Sequence, residues 1–186
     1  VQHSNSYLFS NGFNYRGVLI EPDPSNYKNL EVNRAGEDMY HKAICSTNRQ
    51  VHFVSNHERN DAVNGIWEFM SPSFRSTWHP HAKIDNMTVV DCVPLNSIIE
   101  NSVLTGKHID FLSLDVEGAE YEVIKTLDFK SVQFGVIFYE ADSHNFKKNR
   151  AIMMHLEAHG YRYMETFHRS NWHINSRWHE IYEYVL

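Results

Sequence analysis

A chain of 186 residues, 42% hydrophobic and 22% charged, is long enough to bury a core and too apolar to be a disordered segment. Its net charge of −6 argues against nucleic acid as a partner, because phosphate binding needs clustered Lys and Arg. No apolar run reaches membrane-spanning length, so no membrane-spanning segment is expected, and the amino terminus has no signal-like pattern.

The chain opens on Val1 rather than Met, which makes it either a processed form or a fragment. Ser4 to Asn11, carrying Tyr7, Leu8 and Phe9, reads as the end of a helix stopped by Gly12. Gly17 to Glu21 is an apolar strand that ends on a carboxylate, and Pro22 and Pro24 keep it from continuing. Asp23 or Ser25 caps a helix over about 26–34 with Tyr27, Leu30 and Val32 inward. Strands at 40–45 and 50–54 flank Ser46-Thr47-Asn48-Arg49, which suggests a hairpin.

Residues 55–86 are the least regular part but carry Trp67, Phe69, Phe74 and Trp78, so they read either as a functional lid or substrate wall or as aromatics packing a loop onto the body. A strand at 87–93 and a short helix at 95–101 started by Pro94 follow. Ile109 to Leu114 is a short continuous apolar run, as in a strand buried on both faces of a parallel sheet. It stops at Asp115. Gly118 permits a tight turn, and Tyr121, Ile124 and Leu127 then recur at helical spacing. Asp115, Glu117 and Glu120 therefore sit at the carboxyl end of a strand, where open α/β sheets hold ligands. Another apolar strand, 134–139, again ends on a carboxylate, Glu140. An amphipathic helix spans 147–159, stopped by Gly160, and the tail reads as strands at 161–166 and 181–186 around a polar loop with Trp172 and Trp178. Strands alternating with helices imply a layered α/β sheet with an antiparallel edge pair.

Few other patterns carry chemistry. Cys45 and Cys92 are too few for a disulfide framework or a cysteine zinc site. The redox compartment stays open, a cytoplasmic one being slightly favoured. Asn86-Met87-Thr88 fits the glycosylation acceptor pattern, which alone is too common to assign a secretory route. The 13 histidines are scattered, apart from His79 and His81 flanking Pro80, and show no metal-ligand spacing; no metal is expected. In a nucleotide-binding βαβ unit, a carboxylate ends the second strand roughly 20 residues after the glycine-rich turn of the first. Glu21 has that character, yet counting back from it reaches the start of the chain without meeting a Gly-x-Gly. If Glu21 is the ribose ligand, the first strand and its glycine loop lie upstream of Val1; the competing reading is a solvated strand-end carboxylate.

Gly17 to Pro24, Ala43-Ile44, Pro94 to Ile99 and Ile109 to Glu120, in that order, resemble the blocks of the FkbM family of S-adenosylmethionine-dependent methyltransferases, with similarity from about His3 to Glu140. The resemblance implies one domain over 1–186 with its amino-terminal part missing, and a class I methyltransferase-like (Rossmann-like) α/β fold. Its sheet would be mostly parallel, with an antiparallel carboxyl-terminal edge, and would lack its first strand. It implies S-adenosylmethionine as cofactor and O-methyl transfer to a small-molecule or glycan-like acceptor. Ser4 and Asn5 would follow directly on the family's glycine motif, Glu21 would hold the ribose hydroxyls, and Ile44 would line the adenine. Asp115 and Glu117 would face the sulfonium and amino end, and Glu140 and His144 would be the base candidates. Asp115 with Glu140 could bind a divalent metal, though two carboxylates are too few to assign one. Strands 18–20 and 109–114 would flank the missing strand at about twice the 4.8 Å spacing of neighbours.

Two other readings compete with this one. Tyr121 to Lys125 matches the Tyr-x-x-x-Lys of NAD(P)-dependent short-chain dehydrogenases, but a four-residue match is weak, and a packing tyrosine in register with the apolar helix face beside a surface lysine accounts for it far better. A catalytically inactive binding or trafficking module would keep the same fold without turnover.

Overall fold

The computed structural model describes residues 4–55, 63–141 and 145–177. His144 and the strand expected at 181–186 lie outside them. In chain order, α1 (Tyr7–Phe13) and β1 (Val18–Ile20) lead into α2 (Pro24–Asn33), β2 (Asp38–Tyr40), β3 (Ala43–Ile44), β4 (Arg49–Val54) and β5 (Gly65–Ile66). Then come α3 (Pro72–Trp78), β6 (Thr88–Val93), α4 (Leu95–Glu100), β7 (Ile109–Leu114), α5 (Glu120–Ile124), β8 (Phe134–Glu140), α6 (Phe146–Ala158), β9 (Tyr161–Phe167) and β10 (Ser170–Asn175). The result is a mixed α/β fold. Three sheets form, ordered β1-β2, β3-β6-β4-β5 and β7-β8-β10-β9.

The expected parallel character holds in part: β1 with β2, β3 with β6 and β7 with β8 run parallel. The pairings of β10 with β8 and β9, and of β4 with β5 and β6, are antiparallel. The main core gathers where β7 and β8 are covered by α4, α5 and α6, and its Ile124, Ile137, Tyr139, Ile152 and Leu156 are fully buried. A second core of Ala43, Val51, Phe53, Ile66 and Val90 is crossed by a disulfide between Cys45 and Cys92.

Several expectations change. Residues 40–45 do not form one strand. Asp38–Tyr40 pairs with β1, the chain breaks, and Ala43–Ile44 then joins β6, which lies between β3 and β4, so the expected hairpin does not exist. The helix at the amino terminus runs through Gly12 and ends at Asn14, which takes the left-handed cap conformation at φ 58°. In α2, Val32 is exposed. Tyr27, Leu30 and Arg34 share the inward face at spacings of three and four, and Val32, five residues after Tyr27, falls on the opposite side.

Residues 63–86 hold more regular structure than their composition announces, and Trp67 and Phe69 pack under Arg75 and Arg49. The stretch around Trp172 is strand β10 rather than polar loop. It alternates half-buried and buried residues, a period-2 signal masked by polar side chains such as Asn171 and His173 on its buried face.

The strands at 18–20 and 109–114 do not pair, as expected. β1 is bonded only to β2 and β7 only to β8 among the described residues. Both line a groove of about 410 Å³, to which α1 adds Phe9 and Ser10. This groove explains why β7, expected to be buried on both faces, is only half-buried from Asp110 to Ser113. Helix α1 is stitched to both sides. Phe9 packs on Phe111 of β7 with ring centroids 4.5 Å apart, while the buried Arg34 guanidinium at the end of α2 donates to the hydroxyls of Ser4, Ser6 and Ser10.

Candidate functional site

The parallel register of β7 and β8 pairs Leu114 with Tyr139, so Asp115 and Glu140 leave their strands side by side. The turn after Asp115 brings in a third carboxylate. Glu117 adopts φ 48° and Gly118 φ 103°, two successive left-handed residues that fold the chain back before α5. For Gly118 this costs little; for Glu117 it is a conformation L residues rarely take. Carboxylate oxygens of Asp115, Glu117 and Glu140 all lie within 4.8 Å of one another, a set that could hold a divalent cation or face a cationic ligand. Sequence reasoning counted only two of them for a metal.

The turn is held from beneath. Glu120, 1% exposed, accepts from the backbone N–H groups of Gly118 and Val116 through Oε1 and pairs with Lys148 Nζ of α6 at 2.6 Å through Oε2. Its sequence position suggests a carboxylate at the lip of the strand-end crevice, beside Asp115 and Glu117. Instead it is a buried brace whose partner, 28 residues away, no local sequence signal could disclose. Arg169, in the β9–β10 turn, reaches Glu140 Oε1 at 2.5 Å. Gly65 of β5 approaches from another side: a Cβ there would lie 3.3 Å from Glu117 Cβ, so β5 packs directly against this elbow.

Crowded like charges set the electrostatics. Burial raises the Glu117 carboxyl to about 8, and the neighbouring Glu140, Asp115 and Glu120 add to the shift while Arg169 opposes it. Asp115, at the open rim but packed by protein on one side, is raised by burial and by Glu120. Glu140 is raised by burial and Asp115, with Arg169 pulling the other way.

The remaining expected residues are placed separately. Glu21 follows β1, its N–H donating to Tyr40 O and its Oε1 accepting from Asp23 N–H at 2.8 Å. Burial raises it to about 7. It shares no hydrogen bond or ion pair with the acidic elbow among the described residues. Asn5 donates to Ser113 Oγ at 3.1 Å, two residues before Asp115, whereas the hydroxyl of Ser4 is taken up by Arg34. Ile44 packs against the main core, its strand end tied to β6 by the disulfide at the next residue. The large groove touches Asn5 but neither Glu21 nor the elbow, so it is a slot between β1 and β7 apart from both groups of carboxylates. Tyr121 packs against the core with Lys125 over its ring at 5.6 Å and paired to Glu122, the ordinary reading of that motif. His79 is a satisfied core histidine, with Nε2 2.8 Å from Val63 O. Among the described residues no helix is long and apolar enough to cross a membrane.

No curated protein and no solved structure matches the chain. A family model does: residues 2–163 match the one described as "Methyltransferase FkbM domain", a span that takes in α1, both strand-end carboxylate sites and α6 and reaches into β9. The chain belongs to the FkbM methyltransferase family, which implies a methyl donor.

Proposed function

We propose that this protein is an S-adenosylmethionine-dependent methyltransferase that moves a methyl group to an oxygen of a small-molecule or glycan-like acceptor. The observation that carries the reading is the elbow of Asp115, Glu117 and Glu140 at adjacent parallel strand ends, within a chain of this family. The strand order supports it too, since β2-β1 on one side of the groove and β7-β8-β10-β9 on the other suit a Rossmann-like sheet.

The residues fit the cofactor. Three converging carboxylates, one raised to about 8 by burial and like-charge crowding, are relieved by a neighbouring positive charge, so Asp115 and Glu117 would hold the sulfonium and amino end. Glu21 still has acceptor capacity beyond its bond to Asp23 and would take the ribose hydroxyls. Asn5 would add a polar contact beside the end of β7, and Ile44 an apolar wall for the adenine. Bound there, the cofactor supplies an electrophilic methyl group. The chain's own task is alignment, with one proton to remove from a hydroxyl acceptor. Glu140, its pKa raised by burial and Asp115, is suited to receive that proton; His144 is a second candidate for the same role.

Thermal shift of the full-length natural chain tests the reading. S-adenosylhomocysteine should raise the melting temperature and NAD(P) should not. Stabilisation by NAD(P) would favour the oxidoreductase reading. No response to either would leave a binding module that keeps the fold.

A further inference from the structure

Asn86, Met87 and Thr88 form the one Asn-x-Ser/Thr triplet in the sequence, and the structure presents it at the surface. Asn86 closes a short 3-10 turn, Ile84–Asn86, just before β6 begins at Thr88. Asn86 and Thr88 are both exposed, and the Asn86 amide makes no hydrogen bond among the described residues, its backbone N–H alone being engaged, with Lys83 O. Ile84 and Val89, on either side, are 45% and 51% exposed, apolar surface that a covering glycan would shield from water.

A second observation points to the same compartment. The two cysteines of the chain are joined to each other, Cys45 beside β3 and Cys92 within the parallel strand β6, with Cα atoms 5.5 Å apart. Both are at most 1% exposed, so the bridge is enclosed in the second core and is not an accessible exchange site. Buried structural bridges persist in oxidising compartments, where N-glycosylation also takes place.

We propose that Asn86 carries an N-linked glycan and that this domain matures in the secretory pathway. In the transfer, Asn86 Nδ2 attacks the anomeric carbon of a lipid-linked pyrophosphoryl oligosaccharide. The N–C glycosidic bond forms, the C–O bond to phosphate breaks, the lipid pyrophosphate leaves, and the amide gives up one proton. The bridge forms separately, two thiols passing two electrons and two protons to a disulfide donor. Position favours compatibility with catalysis. Asn86 precedes the amino end of β6, while Ile44 pairs with Val93 at the carboxyl end, about 17 Å further along for five residue steps of strand. The glycan therefore leaves the candidate cofactor edge open.

The test uses the full-length natural chain expressed from its own reading frame in eukaryotic cells. Peptide N-glycosidase should shift its mobility once and convert Asn86 to Asp by mass spectrometry. Asn86→Gln and Thr88→Ala should each remove the shift, and Thr88→Ser should keep it. Cys45 and Cys92 should resist maleimide until a reductant is added under denaturing conditions. Wild-type protein that is insensitive to the glycosidase overturns the proposal whatever the state of the thiols; maleimide labelling of both cysteines without reductant overturns the compartment assignment.

Discussion

The two strand-end acid sites hold carboxylates raised for different reasons. Glu21 stands apart, and burial is the main cause of its rise; the nearest help is the Asp23 N–H of its own turn. Glu117 is buried too, but Glu140, Asp115 and Glu120 press on it as like charges. A lone buried carboxylate is satisfied by hydrogen-bond donors, whereas a crowded group needs a cation. In the proposed reading, the nucleoside and sulfonium ends of one cofactor answer that pair of demands. The sites also differ in how they are held. The elbow rests on a buried ion pair, while the strand end at Ile44 rests on a disulfide.

The largest break should come at the elbow's support. Replacing Lys148 by Met strands the Glu120 charge in the core, and losing one partner of a buried pair costs about 3–5 kcal/mol. Urea unfolding should show it, and adding Glu120→Gln should recover much of the loss. A Lys148→Met cost below about 1 kcal/mol would mean that the brace is not needed. On the other side, Cys45→Ser with Cys92→Ser removes a crosslink between residues 47 apart and should cost about 2–4 kcal/mol, read by the same melts under non-reducing conditions. Glu21→Ala should leave stability nearly intact but weaken S-adenosylhomocysteine binding by about 1.5–3 kcal/mol, the worth of a hydrogen bond to a charged group. Unchanged affinity in calorimetry would return Glu21 to a turn-closing role.

Stability should also depend on pH. The unfolded chain ionises Glu117 near 4.5 and the folded chain near 8, so between these values the folded state binds the extra proton. Its contribution is fully present below pH 4.5 and is lost as pH rises through 8. Glu117→Gln should flatten that decline and make the protein relatively more stable at pH 8. An unaltered slope in urea titrations at pH 5, 6.5 and 8 would show that Glu117 is not crowded in solution.

Much of this was legible in sequence where the signal is local. The apolar runs of β7 and β8, each ending on an acid, and the Gly118 turn located the elbow, and Pro24 after Asp23 located the start of α2. Nonlocal facts were not legible. Nothing near residue 44 says that its strand pairs with β6 and not with β4, because that choice rests on Cys92 and Val93 some fifty residues on. Arg169 and Lys148 resemble surface cations until the fold carries Glu140 and Glu120 to them. Strand β10 hid because Asn171, His173 and Asn175 occupy its buried face, where an apolar alternation would have announced it.

Calorimetric titration of S-adenosylmethionine into the full-length natural chain and its Glu21→Ala and Glu117→Ala variants tests the pairing of the two sites most directly. The account predicts binding by the wild type that tightens from pH 6 to pH 8 as both carboxylates ionise, and weaker binding in each variant. Absent binding by the wild type, or equal affinity in all three proteins, would contradict it.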